Sequence, residues 1–401
     1  MLLSDYCQPA FLETMMRRCH PAPGLRVLRV SPLPVDTSAS ILAALTAGQS
    51  AAPVGHVGLE VTFQLAGEAP QTQRMVLKVK PPGAEVSAML GGLAQACGGE
   101  LAATYPAFEL RTGFADTHRR ELDLYALRHP LMPRVYGLHC HEARNEHAVL
   151  LEYLHDDVEL LNSVMQPAAW TDAHLRAALD QLAAWHAAHL RPDGATAPAW
   201  PNRPSAAYMA DLQPLWQALL DHATQHFPAL CAREAAHTLA TAVECIPDYW
   251  AALAAEPHTL VHNDLNPRNT CFRRGPAGEL LFVAYDWELA TYHVPHYDVV
   301  ELLCFVLDAD RYAQRLDYLE YYRQRLHART GCHASAAHFR RIAALAALDF
   351  GLHRLGLYLM AHTVSPYSFL PRVVRSYSDT LAQLRPLAHL GVEAPAQRAA
   401  A

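Results

Sequence analysis

The hydrophobic pattern changes its period part-way along the chain, and this change constrains the fold more than any other feature. Between Leu25 and Lys80, apolar and polar residues alternate in RVLRV, GLEVTFQLAG and RMVLKVK. Such alternation is typical of antiparallel strands. After the strand-like segment AVLLEYL at 148–154, apolar residues recur at helical spacing through 172–190, 206–253 and most of 297–390. The sequence therefore predicts an α+β fold of two lobes, a small antiparallel-sheet N-lobe and a larger, mostly α-helical C-lobe.

The same patterns suggest a division of the 401 residues into five segments. We predict a helical extension over 1–24, an N-lobe of sheet plus one helix over 25–150, a hinge over 151–155, a helical C-lobe over 156–390 and a disordered tail over 391–401.

Two stretches of the N-lobe lie outside the strand pattern. Residues 114–129 have helical spacing, with Asp116 in position to cap the helix. The stretch 83–110 follows two prolines and contains five glycines, so we predict a loop or a short helical insertion there.

Composition excludes several classes of protein. The net charge of -7 disfavours binding to nucleic acid, which requires clustered excess Lys and Arg. Nine cysteines without a CxxC pair are typical of reduced thiols in a cytoplasmic protein. The apolar stretch 342–361 is interrupted by Asp349, His353 and Arg354, so we expect no membrane span.

The segment HNDLNPRN, from His262 to Asn269, is the most informative motif. It contains three of the six asparagines of the chain, and a short apolar strand separates it from Asp286-Trp287-Glu288. A hairpin of this length brings Asn269 close to Asp286. One amide and one carboxylate oxygen suit a hard cation such as Mg²⁺. The alternative is a polar turn before a strand, which Asn and Asp often build.

Lysine usage points to a second site. Of 32 basic residues only two are lysines, Lys78 and Lys80, and they share one face of a predicted strand. The compact ammonium of lysine binds a triphosphate as a point charge, and the broad, planar guanidinium of arginine does not fit such a site equivalently. We choose Lys78, because it lies farther from Pro81, and we predict that Glu121 of the following helix pairs with it. The alternative is that both lysines lie at the surface.

Together these motifs resemble the aminoglycoside phosphotransferase and choline kinase group of kinase-like enzymes. HNDLNPRN resembles the catalytic loop of that group, YDWE its metal-binding motif, and LLEYL at 150–154 its hinge. The matching elements span residues 70–305. The resemblance implies a protein-kinase-like fold and a phosphotransferase that uses ATP (or GTP) and Mg²⁺. The acceptor would be a hydroxyl of a small molecule, such as an aminoglycoside, an amino-alcohol or a sugar.

The resemblance also implies a role for individual residues. Asp264 orients or deprotonates the acceptor hydroxyl, and Asn269 and Asp286 bind Mg²⁺. The implied nucleotide-binding residues, which position the phosphates or hold the base, are Lys78, Glu121, Glu152, Tyr153 and Leu154. The implied supporting residues are His262, which braces the catalytic loop, Glu288 after the metal motif, and Asp298 in the next helix.

The phosphate-covering loop departs from the pattern of kinases. No GxGxxG motif is present between the first strands, where Asp36 to Ser40 stand instead. Two other functions therefore stay open. One is a non-catalytic nucleotide-binding module, and the other is a nucleotidyltransferase on the same fold.

Two further groups of residues allow two interpretations. His139, Cys140 and His141 with His147 imitate a zinc site, but in a chain with 24 histidines we interpret them as surface or core residues. Six tyrosines after the metal motif pack as core or line a cage for a cationic acceptor. They are Tyr292, Tyr297, Tyr312, Tyr318, Tyr321 and Tyr322.

Overall fold

The computed structural model describes residues 2–20, 24–35, 53–155, 157–191 and 200–391. The chain divides into two compact units. The first contains residues 1–90, 110–162 and 268–290, and the second contains 91–109, 163–267 and 291–401. The predicted phosphate-covering segment 36–40 and the predicted tail beyond residue 391 lie outside the described residues.

An antiparallel sheet of five strands forms the centre of the first unit. Its order is β1-β2-β3-β5-β4, and every neighbouring pair is antiparallel. The strands are β1 (Arg26–Leu33), β2 (Gly55–Gln64), β3 (Gln71–Lys80), β4 (Val135–His141) and β5 (Glu146–Glu152). The three strands predicted between residues 25 and 80 and the one at 148–154 are thus present.

Two N-terminal helices cover one face of this sheet. They are α1 (Leu3–Tyr6) and α2 (Pro9–Cys19). Leu12, Met15 and Met16 of α2 form one hydrophobic core with Met75 and Leu77 of β3. Burial of this apolar surface contributes about 25 cal/mol per Å² and fixes which side chains of each strand face the helices.

Three helices follow the third strand. The stretch 83–110 contains α3 (Gly83–Cys97) and α4 (Gly99–Thr104), so it is a helical insertion rather than a loop. The predicted helix over 114–129 is shorter than its pattern and forms α5 (Thr117–Tyr125). Asp116 occupies its N-cap position, but its side chain makes no capping hydrogen bond.

The hairpin that follows HNDLNPRN clusters with the first unit, although the pattern assigned it to the C-lobe. It consists of β8 (Thr270–Arg274) and β9 (Leu280–Ala284), and β6 (Val158–Glu159) pairs with β8. The amide of Ala284 also donates to the carbonyl of Leu131 at 2.7 Å. These hydrogen bonds explain why residues 268–290 cluster with the sheet.

The second unit is mostly helical. Its helices are α6 (Asp172–Ala188), α7 (Ala206–Asp211), α8 (Gln213–His226), α9 (Arg233–Glu244), α10 (Ile246–Ala254), α11 (His296–Val306), α12 (Arg315–Thr330), α13 (Ala336–Phe350), α14 (Gly356–Val364) and α15 (Leu370–Leu384). A short antiparallel pair, β7 (Thr259–Val261) with β10 (Thr291–His293), flanks the hairpin in sequence. The predicted α+β fold class, with a sheet unit and a helical unit, is confirmed.

One helical run is long and apolar. Ala336–Val364 has 29 residues and a mean hydropathy of 1.3, enough by length and composition to cross a membrane, but 94% of its most apolar window is buried inside the protein. A core helix of a soluble protein meets the same criteria. The absence of a membrane span stays a prediction.

Candidate active site

The alternation of β3 determines where the two lysines lie. Met75, Leu77 and Val79 are buried in the core beneath the N-terminal helices. Because side chains alternate along a strand, Lys78 and Lys80 lie on the opposite face of the sheet. Both lysines therefore lie on the same face of the strand, as the sequence predicted, and this face is the one opposite the apolar layer.

Both lysines contact Glu121 of α5. Lys78 Nζ donates to Glu121 Oε1 at 2.9 Å, which is the predicted pair. Lys80 Nζ donates to the other oxygen, Oε2. The sequence did not predict the second contact, although the spacing of two residues along the strand placed both ammonium groups on the same face.

The residues after β9 supply two more carboxylates to this cluster. Lys78 forms an ion pair with Asp286, and Lys80 forms one with Glu288. Lys78 Nζ also lies 3.9 Å from Glu288 Oε2. Two ammonium groups and three carboxylates thus compensate one another, and we define Lys78, Lys80, Glu121, Asp286 and Glu288 as the charge cluster.

The surroundings within the charge cluster shift the pKa values of two of its carboxyl groups in opposite directions. Burial opposes ionisation of Asp286, but Lys78 and Lys80 outweigh it and hold its pKa well below the usual range. Burial raises the pKa of Glu288, and the negative charge of Asp286 raises it further. Burial alone would lower the pKa of Lys78, but Asp286 and Glu121 raise it well above its ordinary value.

The β8–β9 hairpin positions Asn269 and Asp286. Thr270 pairs with Ala284, and the amide of Tyr285 donates to the carbonyl of Asn269 at 2.9 Å. Asp286 has a left-handed backbone with φ of 63°, and its amide donates to Tyr125 Oη at 3.1 Å. Asn269 is buried and Asp286 is half-buried, and both side chains line the same cavity.

The predicted hinge over 151–155 begins at the last two residues of β5 and continues beyond the strand. Backbone amides of Glu152 and Tyr153 donate to the carbonyls of Arg134 and Arg74 at 2.9 and 3.1 Å. The Tyr153 hydroxyl donates to the carbonyl of Pro34 at 2.6 Å, while the Glu152 carboxylate pairs with Arg273. Among the three predicted hinge residues, Glu152 and Leu154 line the cavity and Tyr153 does not.

One cavity of the first unit brings most of these groups together. It encloses about 950 Å³, including space open to solvent. Apolar side chains line the part near the hinge, and charged and polar side chains line the other part. The predicted residues in its wall are Lys78, Glu121, Glu152, Leu154, Asn269 and Asp286. Sequence analysis missed His56, Tyr125, Arg268 and Tyr285, which also line it.

Asp264 lies in the second unit, where one of its oxygens accepts several hydrogen bonds. Oδ1 accepts from Asn266 Nδ2 at 3.2 Å and from Arg354 at 3.1 Å. The hydroxyl of Tyr358 donates to the same oxygen. The side chain of Asp264 is 13% exposed. These donors fix the direction of the carboxylate.

The backbone on either side of Asp264 is held by carboxylates of α11. The amides of His262 and Asn263 donate to the two oxygens of Asp298 at 2.8 and 3.0 Å. The amide of Leu265 donates to Glu301 Oε2 at 2.9 Å. Asp298 thus accepts hydrogen bonds from the backbone of the HNDLNPRN loop, and His262 takes part in this arrangement through its backbone amide. Asn263 has φ of 61°, so the loop is held in a left-handed turn.

Arg354 and Tyr358 were not predicted as site residues. Arg354 lies in a π-helical turn, Gly351–Leu355, that joins α13 to α14. Such turns are frequent at functional sites. A signal was present, since Arg354 is one of the buried charged residues of a mainly apolar stretch and Tyr358 follows it at the i,i+4 spacing. Burial would lower the pKa of Arg354, but Asp264 raises it.

The tyrosines after the metal motif are mainly core residues. Tyr297 and Tyr322 are fully buried, and the Tyr322 hydroxyl bonds to His186 Nδ1 at 2.6 Å. The guanidinium of Arg176 lies 4.7 Å from the centre of the Tyr321 ring. The structure therefore favours the packing interpretation over the cation cage.

The charge cluster also has the chemistry of a cation site. Glu121, Asp286 and Glu288 each offer an oxygen, and these oxygens lie within 4.8 Å of one another. Asn269 adds an amide oxygen to the wall of the same cavity as Asp286. Carboxylate and amide oxygens are the protein ligands of Mg²⁺, which usually keeps waters and phosphate oxygens as its other ligands. The residues present therefore fit Mg²⁺.

Comparisons with known proteins identify one family. A model of the phosphotransferase enzyme family matches residues 57–332, more than half of the chain. This range contains the charge cluster, the hinge and the HNDLNPRN loop. A search of curated protein sequences finds no match. The family match confirms the resemblance that the motifs predicted and agrees with the predicted kinase-like fold.

Solved structures with low sequence identity are also similar. Choline kinase from Cryptosporidium parvum has a TM-score of 0.47 and 9% identity, over 94% of this chain and 97% of that one. The GDP complex of aminoglycoside 2'-phosphotransferase-IIIa has a TM-score of 0.46 and 14% identity, over 94% and 99%. Plasmodium vivax ethanolamine kinase has a TM-score of 0.40 and 10% identity, over 90% and 83%.

Proposed function

This chain belongs to the phosphotransferase enzyme family, and from that premise we propose that it transfers the γ-phosphoryl group of ATP or GTP to a hydroxyl of a small molecule. The observation that carries the proposal is the cavity of the first unit. It combines an apolar part beside the hinge with Lys78, Asn269 and Asp286. A base fits the apolar part, and phosphates fit the part with the ammonium group.

The hinge narrows the choice of base-binding groups. Because the amides of Glu152 and Tyr153 already donate to backbone carbonyls, the amide of Leu154 is the hinge donor proposed to contact the base. The side chain of Tyr153 is held away from this role by its bond to Pro34. Leu151 and Leu154 line the cavity and would contact the faces of the base.

At the other end of the cavity, the charge cluster determines how phosphates are held. Glu121 fixes the ammonium group of Lys78, which then acts as a point charge for the phosphate oxygens. Asn269 and Asp286 would hold Mg²⁺, which supplies charge neutralisation to the transferred group when bound. Lys80 and Glu288 hold the cluster together from its buried side.

Asp264 is proposed to orient the acceptor. It precedes Asn269 by five residues in the motif HNDLNPRN. Arg354, Tyr358 and Asn266 fix its carboxylate through Oδ1, so a hydroxyl that bonds to Asp264 is held in one direction. Orientation of this kind supplies much of the rate in phosphoryl transfer, where little covalent chemistry falls to the protein.

The acceptor class is tested directly. Purified protein is incubated with ATP or GTP and Mg²⁺ against a panel of amino-alcohols, aminoglycosides, sugars and other hydroxylated natural products, and release of the nucleoside diphosphate is measured. We expect release that depends on one acceptor class and is lost in Asp264→Asn. Mass spectrometry of that acceptor should show the addition of one phosphate.

Two other outcomes would contradict the proposal. Pyrophosphate release with transfer of a nucleotide to the acceptor would indicate a nucleotidyltransferase. Nucleotide binding by calorimetry, without turnover on any panel member and without change in Asp264→Asn, would favour a nucleotide-binding module.

A further inference from the structure

The hairpin between β4 and β5 brings together three side chains that suit a transition metal. Cys140 on β4 and His147 on β5 are direct cross-strand partners. Glu142 lies in the short turn that joins the strands. One ligand atom from each of the three lies within 4.8 Å of the others. We propose that Cys140, Glu142 and His147 form a zinc-binding site in the first unit, separate from the charge cluster.

The distances within this trio are close to those of a tetrahedral site. Cys140 Sγ lies 3.3 Å from Glu142 Oε1, and His147 Nε2 lies 4.0 Å from the same oxygen. With zinc–ligand bonds of about 2.0 to 2.3 Å, neighbouring ligands of a tetrahedron lie about 3.3 to 3.8 Å apart. Small rotations of two exposed side chains, Cys140 and Glu142, bring all three atoms to that spacing.

Hydrogen bonding around the trio points to a ligand. The His147 ring is fully buried, and within the described part of the chain neither of its nitrogens makes a side-chain hydrogen bond. With the backbone of Asn145 as its one hydrogen-bond partner among the described residues, the imidazole loses most of its hydration on burial, a cost that a metal–nitrogen bond would offset. His118 packs against it edge to face, with ring centres 4.3 Å apart, and fixes the ring plane.

Glu142 uses its two oxygens for different partners. Oε1 faces Cys140 and His147, whereas Oε2 accepts from Arg119. In metal sites the ligating carboxylate is held in the same way, by a hydrogen bond to the oxygen that does not bind the metal. Arg119 therefore orients Oε1 toward the position between the thiol and the imidazole.

Binding follows the usual chemistry of a thiol ligand. Zn²⁺ replaces the proton of the Cys140 thiol, which is released to solvent, and a zinc–sulfur bond forms. Cysteine, histidine and carboxylate together favour zinc over magnesium or calcium, which prefer oxygen ligands alone. With three protein ligands, the fourth position is left for water. This assignment revises the interpretation of Cys140 and His147 as unrelated surface and core residues.

Cobalt substitution tests the site without reference to activity. The full-length protein is stripped with a chelator, and Zn²⁺ binding is measured by competition with a chromophoric chelator. We expect one equivalent of zinc for each chain, and with Co²⁺ an absorption band from thiolate-to-metal charge transfer. Cys140→Ser removes the band and the zinc equivalent. Because Cys140 is exposed, this variant keeps its core packing. Glu142→Gln weakens zinc binding by more than about tenfold.

Three controls separate this site from others. Cys332→Ser removes a half-buried cysteine of the second unit and should leave the band unchanged. His141→Ala removes the neighbour that points to the other face of β4 and should also leave it unchanged. Asp286→Asn alters the charge cluster and should retain the band. A band or a zinc equivalent that persists in Cys140→Ser, or the absence of both in the unaltered protein, would overturn the proposal.

Discussion

The charge cluster of the first unit and the Asp264 site of the second unit stabilise ionised groups by different means. In the charge cluster, ammonium groups and carboxylates compensate one another, and Lys80 is only 2% exposed. Around Asp264, one guanidinium, that of Arg354, and two neutral donors hold one carboxylate oxygen, and the side chain of Asp264 is 13% exposed. Loss of a charge from the first arrangement leaves another buried charge uncompensated, whereas loss of a neutral donor from the second mainly changes orientation.

This difference predicts that substitutions at the two sites affect different properties of the protein. Substitutions in the buried part of the charge cluster should lower the free energy of unfolding. Substitutions of the neutral hydrogen-bond donors to Asp264 should lower turnover and leave folding nearly intact. The experiments below test this separation from the largest expected effect to the smallest.

Asp264→Asn should produce the largest effect on turnover. The variant keeps the size of the side chain and an oxygen that accepts from Arg354 and Tyr358, but it loses the negative charge that attracts the acceptor proton. Positioned acid–base groups contribute about 10²- to 10⁴-fold, so we expect kcat to fall about 10³-fold. Nucleotide affinity, measured by calorimetry, should change less than about threefold, since Asp264 belongs to the second unit.

Asp308→Asn serves as a matched control for this variant. Asp308 is a partly exposed carboxylate of the same unit that lies 3.8 Å from Arg372. It should leave kcat unchanged. Equal turnover in Asp264→Asn and the unaltered protein would contradict the role of Asp264.

Lys80→Met should have the largest effect on stability. It leaves Glu121 and Glu288 in the interior without the ammonium group that both contact. Removal of one partner of a buried ion pair costs about 3–5 kcal/mol, and because Lys78 still pairs with Glu121, we expect about 3 kcal/mol. Chemical denaturation of the two proteins measures this difference. Simultaneous Glu288→Gln should recover part of the loss, because it removes one uncompensated charge.

Lys78→Met is the matched variant for this comparison. Lys78 is 14% exposed and lines the cavity, so its loss should affect nucleotide affinity more than stability. If Lys78→Met destabilises the protein as strongly as Lys80→Met and leaves nucleotide binding unchanged, the two lysines do not have the separate roles proposed here.

Protonation of His56, which lies beside the charge cluster, should make the free energy of unfolding depend on pH. His56 is the cross-strand partner of Lys78, and burial, followed by Lys78, lowers its pKa to about 4. The imidazole of the unfolded chain has a pKa of about 6.5, so between pH 6.5 and 4 the unfolded state binds more protons. His56 should therefore cost the folded protein about 3 kcal/mol as the pH falls through this window.

The measurement compares His56→Gln with the unaltered protein. The free energy of unfolding of both is determined at pH 7, 5.5 and 4, so that acid titration of other groups cancels in the difference. The stability of the unaltered protein should fall more steeply. Parallel curves for the two proteins would show that His56 does not titrate differently in the folded state.

Local patterns predicted the first unit well. Alternation along 25–80 predicted three strands, and the two-residue spacing of Lys78 and Lys80 predicted their common face. The Lys78–Glu121 pair was also predicted, because the helix that carries Glu121 is marked by its own spacing. The roles of Asp264, Asn269 and Asp286 in phosphoryl transfer stay predictions, which the experiments above test.

Contacts between distant segments were harder to predict. Arg354 and Tyr358 follow Asp264 by 90 and 94 residues, and no local periodicity relates them. From the sequence, the charged residues of the stretch 342–361 were interpreted only as evidence against a membrane span. A charged residue in a buried apolar helix costs free energy unless it is paired, so the same interruption also indicated a partner.

Tyr358→Phe should have the smallest of these effects and tests the Asp264 site most narrowly. It removes a single hydroxyl that donates to Asp264 Oδ1 and leaves Arg354 and Asn266 in place. A hydrogen bond to a charged group contributes about 1.5 kcal/mol at the low end of its range, so we expect kcat to fall about tenfold. The KM for the nucleotide should stay unchanged. Tyr318→Phe removes a hydroxyl bonded to Gln314 in the same unit and should have no effect on kcat. If both variants lower kcat equally, the loss reflects packing in the second unit, and if neither does, the Tyr358 hydroxyl does not orient Asp264.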